Sequence, residues 1–212
     1  MEGTCIIIGG GDFYGLHTVP KDEDYIIAAD SGYAYCEKEH LRPDLVVGDF
    51  DSLGFVPDFP DIVQMPVEKD DTDTLHAIRI GLAKGYRRFA IYGGTGGKRA
   101  DHTLANIQCL LFLHRHDARG VMFGKDIVFR GISNETISFS TDAKGDLSVF
   151  CLDGEAHGVT IQGMKYELTD ATLTSDFPLG CSNSFLGTAS SITVNNGSLI
   201  LVYSIDTESE VL

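Results

Sequence analysis

At 212 residues the chain has room for one large domain or two small ones and for a sizeable core. Hydrophobic residues make up 43% and charged residues 22%, the balance of a globular protein rather than a disordered or fibrous one. Its 31 acidic against 16 basic side chains give a net charge of −15, a field that repels phosphate backbones and anionic membranes and argues against either as a partner.

In chain order, the first apolar run, residues 5–8, lies in the opening MEGTCIIIGG and is followed by Gly9-Gly10-Gly11-Asp12. That opening lacks a basic region and its run is too short for a signal peptide, so a soluble, cytoplasmic protein is expected. Residues 25–29 run into Asp30-Ser31-Gly32, residues 45–47 into Gly48-Asp49-Phe50-Asp51-Ser52, and residues 89–92 into Gly93-Gly94-Thr95-Gly96-Gly97. Short runs rich in Ile and Val without alternation are expected of strands buried on both faces of a parallel sheet. Helices are predicted over 74–84, with Leu75, Ile78 and Leu82 on one face, and over 101–114, with Leu104, Ile107, Leu111 and His114 recurring at helical spacing. Alternating strands and helices predict an α/β fold with a mainly parallel sheet.

After residue 128 helical periodicity fades and short runs of Val, Ile, Thr, Phe and Ser alternate with turns, so 129–212 is expected to be a small antiparallel β domain. Residues 192–194 and 199–203 flank Asn195-Asn196-Gly197-Ser198, a hairpin signal, because Asn-Gly tolerates positive φ. Five widely spaced cysteines (Cys5, Cys36, Cys109, Cys151, Cys181) without a C-x-x-C pair suit a reducing compartment, as small core hydrophobes. His114-Arg115-His116 is read as a solvated helix end, and the two N-x-S/T matches, at Asn134 and Asn196, as chance.

The chemistry concentrates in two places. Residues 44–73 carry nine acidic side chains against one lysine, Lys69. If the backbone is extended at Phe50, Asp49 and Asp51 point to one side, while Asp70, Asp71 and Asp73 stand at the entrance to a helix. Capping alone would account for acids at a helix start. Carboxylates gathered in one crevice repel unless a cation joins them, and an oxygen-only set without His or Cys suits Mg²⁺. The second place is Gly93 through His102, after a strand and opening a helix: glycines let backbone N–H groups close on a phosphate, aided by the helix terminus. It is neither a Walker A loop nor G-x-G-x-x-G, since Arg99 stands where each pattern needs another residue. Arg99 would neutralise phosphate charge, Asp101 would ligate metal or fix Arg99, and His102 would donate a hydrogen bond. Strand-end position also makes Asp30 and Ser31 ligand candidates, with a plain turn as the alternative.

The ordered motifs Ala29-Asp30-Ser31-Gly32, Gly48-Asp49-Phe50-Asp51-Ser52, Asp70-Asp71-Thr72-Asp73 and Gly93 through His102 together resemble the thiamine pyrophosphokinase family, as does the late Gly180-Cys181-Ser182-Asn183 before a Val-rich segment. The resemblance implies an α/β nucleotide-binding catalytic domain over 1–128 and a β-sandwich thiamine-binding domain over 129–212. It also implies a homodimer and Mg²⁺-dependent transfer of the diphosphoryl unit of ATP to thiamine, giving AMP. By that resemblance Asp49, Asp51 and Asp73 hold Mg²⁺; Asp30, Ser31, Gly94, Thr95, Gly96, Arg99, Asp101 and His102 surround the nucleotide; Ser182, Asn183 and Tyr166 line the thiamine side. Two features depart from the family pattern: the chain has no Trp, so Tyr166 stands where a Trp-like stack is usual, and Lys98 is inserted before Arg99. The alternatives are pyrophosphoryl transfer to another small alcohol and a non-catalytic nucleotide- or thiamine-sensing module.

Overall fold

The computed structural model describes residues 2–66, 68 and 70–207; Lys69, the lone lysine of the acidic segment, lies outside them. The chain divides into two compact units, Met1–Lys125 and Asp126–Leu212. None of the described helices is long and apolar enough to cross a membrane.

In the first unit the four apolar runs become strands β1 (Thr4–Ile8), β2 (Tyr25–Ala29), β3 (Leu45–Gly48) and β5 (Arg88–Tyr92), joined by two strands not expected from the sequence, β4 (Ile62–Gln64) and β6 (Arg119–Phe123). Between them lie helices α1 (Gly32–Lys38), α2 (Asp73–Ala83) and α3 (Ala100–His114). Neighbouring strands pair in parallel in the order β6-β5-β1-β2-β3-β4. The chain lays β2, β3 and β4 outward from one side of β1, then returns to place β5 and β6 on the other. The onward connections from β1 and β5 therefore run to opposite sides of the sheet, the switch in strand order that places a crevice beyond the carboxyl ends of the strands. All four polar or glycine-rich motifs begin at the end of one of these strands.

Both longer helices seat a different face from the one their leucines predict. In α2 the buried positions are Thr74, Ala77, Ile78 and Gly81, with Leu75 and Leu82 only half-buried. Gly81 sets the approach: a Cβ there would lie 2.7 Å from both Cys5 Sγ and the Phe89 ring, too close for a side chain. In α3 the seated residues are Asn106, Cys109, Leu110, Leu111 and Leu113, while Leu104 is 65% exposed. This helix is apolar nearly all round, so spacing fits more than one stripe; the seated one accepts Asn106 because its amide finds a backbone partner.

The second unit comprises β7 (Ile127–Ser133), β8 (Thr136–Phe139), β9 (Asp146–Phe150), β10 (Glu155–Gln162), β11 (Leu168–Thr174), β12 (Gly180–Ser184), β13 (Ser190–Thr193) and β14 (Ser198–Ser204). They form two antiparallel groups, β12-β9-β14-β7 and β11-β10-β13-β8. Side chains alternate as a half-buried strand requires: Ile137 and Phe139 of β8 point inward, Thr136 and Ser138 outward. Phe139 meets Tyr203 of β14 edge-on at 5.8 Å between ring centroids, which joins the two layers.

The expected hairpin at Asn195–Ser198 is not one. β13 and β14 lie in different sheets, and Gly197, at φ 114°, carries the chain from one to the other. The turn's polar groups bond outward instead of across a ladder: Asn196 exchanges backbone bonds with His157, and the Gly197 N–H donates to Asn134 Oδ1.

Four of the five cysteines are buried, and all five are free thiols. Burial pushes the Cys36 and Cys109 thiols up to about 12, so both stay protonated as packing groups.

Candidate active site

The crevice at the carboxyl ends of β1, β2, β3 and β5 is a cleft of about 540 Å³. Its acidic wall is Asp30, Asp49, Asp51, Asp71 and Asp73; its other wall is the glycine loop with Lys98, Arg99 and His102.

Strand order assembles the acids. β2 and β3 are neighbours, with Ala29 level with Val47, so Asp30 and Asp49 leave adjacent strand ends. Asp30 is held there by its own N–H, which donates to Val47 O at 2.8 Å. The Asp49–Asp51 pair does not arise from strand alternation as expected. Phe50 turns left-handed (φ 62°) with its ring buried, and the Asp51 N–H folds back onto Asp49 Oδ1 at 3.3 Å. Burying the Phe50 ring offsets the roughly 1–2 kcal/mol such a backbone costs a non-glycine residue. The outcome is that Asp30, Asp49 and Asp51 each place a carboxylate oxygen within 4.8 Å of the others.

Asp73 lines the same cleft from the first turn of α2 but stands outside that close group of three. Thr72 rather than an aspartate caps α2, its Oγ1 accepting from the Leu75 N–H at 3.2 Å. Asp71 is engaged by Arg79 Nη1 at 2.9 Å, which ties its charge to α2.

Those three carboxylates fit a hard divalent cation. Asp30 is 9% exposed, and its Oδ1 is buried with no hydrogen-bond partner among the described residues. A buried anionic oxygen left so is costly, and a cation shared with Asp49 and Asp51 would satisfy it.

The opposite wall is backbone. Gly93, Gly96 and Gly97 adopt positive φ (62°, 74° and 68°), conformations that glycine takes without strain. At Gly96 a Cβ would collide with the Asp12 carboxylate. Thr95 is buried and is not among the lining residues; its carbonyl accepts from the Asp12 N–H at 2.8 Å. Arg99 is bound bidentately by Asp101, Nε to Oδ1 at 3.0 Å and Nη2 to Oδ2 at 2.7 Å. Asp101 does not line the cleft, so of its two expected roles the structure displays the fixing of Arg99. The Arg99 hydrogen bonds hold the Asp101 carboxyl down at about 2, and the same contact raises the Arg99 guanidinium.

The second unit holds the remaining candidates. Asn183 is buried and fully used: Oδ1 accepts from the Tyr166 N–H at 2.9 Å and Nδ2 donates to Tyr166 O at 2.6 Å. It fixes the backbone of Tyr166, whose side chain is 58% exposed with Lys165 Nζ 5.2 Å from the ring centroid. Ser182 is exposed, at φ 63°, and its N–H is held by Ser148 Oγ at 3.0 Å.

Three cleft residues were not singled out from the sequence: Thr74, Thr103 and Asn106. Asn106 lies one turn beyond His102 and is buried, with its Nδ2 donating to Gly94 O at 2.9 Å, whereas the neighbouring polar Gln108 is exposed; the sequence alone does not tell the two apart.

Comparison with known proteins agrees over most of the chain. Residues 16–122 match the family described as thiamin pyrophosphokinase, catalytic domain, and residues 134–201 match thiamin pyrophosphokinase, vitamin B1 binding domain. The thiamine pyrophosphokinase of Bacillus subtilis (strain 168) is 27% identical over 187 residues, covering 85% of this chain and 87% of that protein. A crystal structure of thiamine pyrophosphokinase from Bacillus subtilis superposes with a TM-score of 0.82 at 25% identity, over 95% of this chain and 98% of that one. A thiamin pyrophosphokinase family protein from Enterococcus faecalis gives 0.77 at 26% identity, again over 95% and 98%. With both of its family domains matched in order along one chain, this protein belongs to the thiamin pyrophosphokinase family of enzymes.

Proposed function

We propose that the chain transfers the β,γ-diphosphoryl unit of ATP to the hydroxyl of thiamine, yielding thiamine diphosphate and AMP, and that Mg²⁺ is required. The observation that carries this reading is the pairing, in one cleft, of a three-carboxylate group with a glycine loop and Arg99. Transfer of this kind asks the protein mainly to position a triphosphate and offset its charge. The thiamine hydroxyl oxygen attacks the β-phosphorus and gives up its proton to water, the bond from that phosphorus to the oxygen bridging the α-phosphate breaks, and AMP departs with the electron pair.

In this reading Asp30, Asp49 and Asp51 hold Mg²⁺, with Asp73 beside them. Bound there, the ion would neutralise phosphate oxygens. Gly94, Gly96, Ser31 and His102 receive the nucleotide, and Arg99, held in place by Asp101, faces the charge on the transferred group. Tyr166 offers an aromatic face to the cationic ring of thiamine, with Ser182 beside it and Asn183 acting through the Tyr166 backbone. One ring face already carries Lys165 Nζ, so the ligand takes the other. The working form is a homodimer, in keeping with the family resemblance of the motifs.

The test is a product assay. Purified protein given Mg-ATP and thiamine should form AMP and thiamine diphosphate in equal amounts; ADP as product would point to an ordinary kinase, and thiamine binding without ATP consumption to a sensing module. Asp51→Asn, which keeps shape and removes charge, should slow turnover about 10²-fold or more.

A further inference from the structure

The glycine loop is braced through three successive carbonyls, of Gly93, Gly94 and Thr95, each the wrong charge for a phosphate and each occupied by a donor. Beyond the ends of β1 and β5 their parallel pairing continues into the two loops. The Gly9 N–H donates to Tyr92 O at 2.8 Å, Gly11 N–H to Gly93 O at 2.7 Å, and Asp12 N–H to Thr95 O at 2.8 Å. In a trans peptide the carbonyl and the following N–H point in opposite directions, and this chain has no cis bonds among its described residues. Turning the Gly93 and Thr95 carbonyls toward the β1 loop therefore turns the Gly94 and Gly96 N–H groups away from it. That is the side where α3 begins and where Gly94, Gly96, His102, Thr103 and Asn106 together line the cleft.

The intervening carbonyl, of Gly94, faces the opposite way from its neighbours, toward α3, and so presents partial negative charge on the side of those two N–H groups. Asn106 meets it. Its side chain, 6% exposed, puts Nδ2 2.9 Å from Gly94 O, and since a carbonyl can only accept, the nitrogen is the one end of the amide that fits. We propose that Asn106 is a positioning residue for the phosphate chain, its amide holding aside and neutralising the Gly94 carbonyl, which would otherwise oppose a bound anion. This rests on reading the cleft as a nucleotide site, and it assigns the order of contacts: Gly11, Asp12 and Asn106 shape the loop, while Gly94 and Gly96 touch the ligand.

Asn106→Asp is nearly isosteric and sets a carboxylate against the carbonyl; Asn106→Ser shortens the side chain beyond reach. Binding of ATP and of inorganic tripolyphosphate is measured by calorimetry on the full chain, with thermal unfolding alongside and KM for ATP and for thiamine from the product assay. The expected result is about tenfold or greater weakening toward both polyphosphates for Asn106→Asp. A smaller loss is expected for Asn106→Ser, with KM for thiamine changed less than twofold. Wild-type affinity for polyphosphate in Asn106→Asp would overturn the proposal. So would an equal loss toward thiamine and ATP, or failure of both variants to fold, because each makes Asn106 a fold residue only. Should the wild-type protein bind polyphosphate but release no AMP, the transfer reaction is wrong while the binding comparison still decides the role of Asn106.

Discussion

Arg99 and Asp101 are two residues apart on the chain and form the most complete polar contact at the mouth of the cleft, yet both side chains are 64% exposed. In water such a pair adds little to stability, so its value is geometric: a planar fork gripped by two oxygens cannot wander. The contact has a measurable signature. Arg99 lowers the Asp101 carboxyl from its usual 3.8 to about 2, so the folded state prefers Asp101 charged. Whatever the pair contributes is then complete above about pH 4 and lost as pH falls toward 2, the direction expected when folding depresses a carboxyl pKa. Carboxyl carbon shifts followed by NMR should give Asp101 a midpoint near 2 in the wild type and a clearly higher one in Arg99→Met, where His102 alone still lowers it. An unchanged midpoint in the variant would mean that the pair does not persist in solution.

α2 delivers Asp73 to the cleft, and its start depends on a single cap. Thr72→Ala removes the acceptor for the Leu75 N–H and should cost about 1 kcal/mol in urea unfolding, while Thr72→Ser should cost a few tenths at most. Equal stability of the alanine variant would show that packing of Ala77, Ile78 and Gly81 alone sets where the helix begins. Elements of this kind divide by how much of their cause is local. β1, β2, β3 and β5 were readable because strands covered on both faces give unbroken apolar runs, and each motif starts where its run stops. α1 was not: seven residues beginning with Gly32, without a side-chain cap or an acid in its first turn, carry little helical signal, and the run stays helical through what it packs on. The sheet membership of β13 and β14 was hidden for a different reason. A positive-φ glycine serves a hairpin and a crossing between sheets equally, and only the partners of Asn196 and Gly197 distinguish them. In the cleft, Asp49 and Asp51 could be paired from their spacing, though through the wrong geometry. Their partnership with Asp30 needed the knowledge that β2 lies beside β3, which no local pattern supplies. The recruitment of Asn106 likewise follows from which stripe of α3 meets the loop.

At the scale of the whole molecule, a net charge of −15 sets stability and the proposed function against each other. More than half of the acidic surplus falls within residues 44–73, and the fold draws part of it together with Asp30, whose buried oxygen has no partner among the described residues. A chain selected for stability alone would not gather like charges this way; one that binds a divalent cation would, because the ion converts mutual repulsion into shared attraction. Two opposite shifts follow. Adding Mg²⁺ at about a hundred times its dissociation constant should stabilise the protein by about 2.7 kcal/mol, several degrees in melting temperature for a chain of this size, and NaCl at matched ionic strength should do markedly less. Asp30→Asn should do the reverse of what loss of a site residue usually does. Asn tolerates the φ of 49° at this position and removes one of three crowded charges, so the metal-free variant should melt at or above the wild-type temperature while losing most of its response to Mg²⁺. Calorimetric scans of both proteins with and without Mg²⁺ separate the cases. A wild-type response no larger than that to NaCl would remove the cation from the cleft. An Asp30→Asn protein that melts lower but responds in full would return Asp30 to an ordinary structural role and leave Asp49, Asp51 and Asp73 to hold the ion without it.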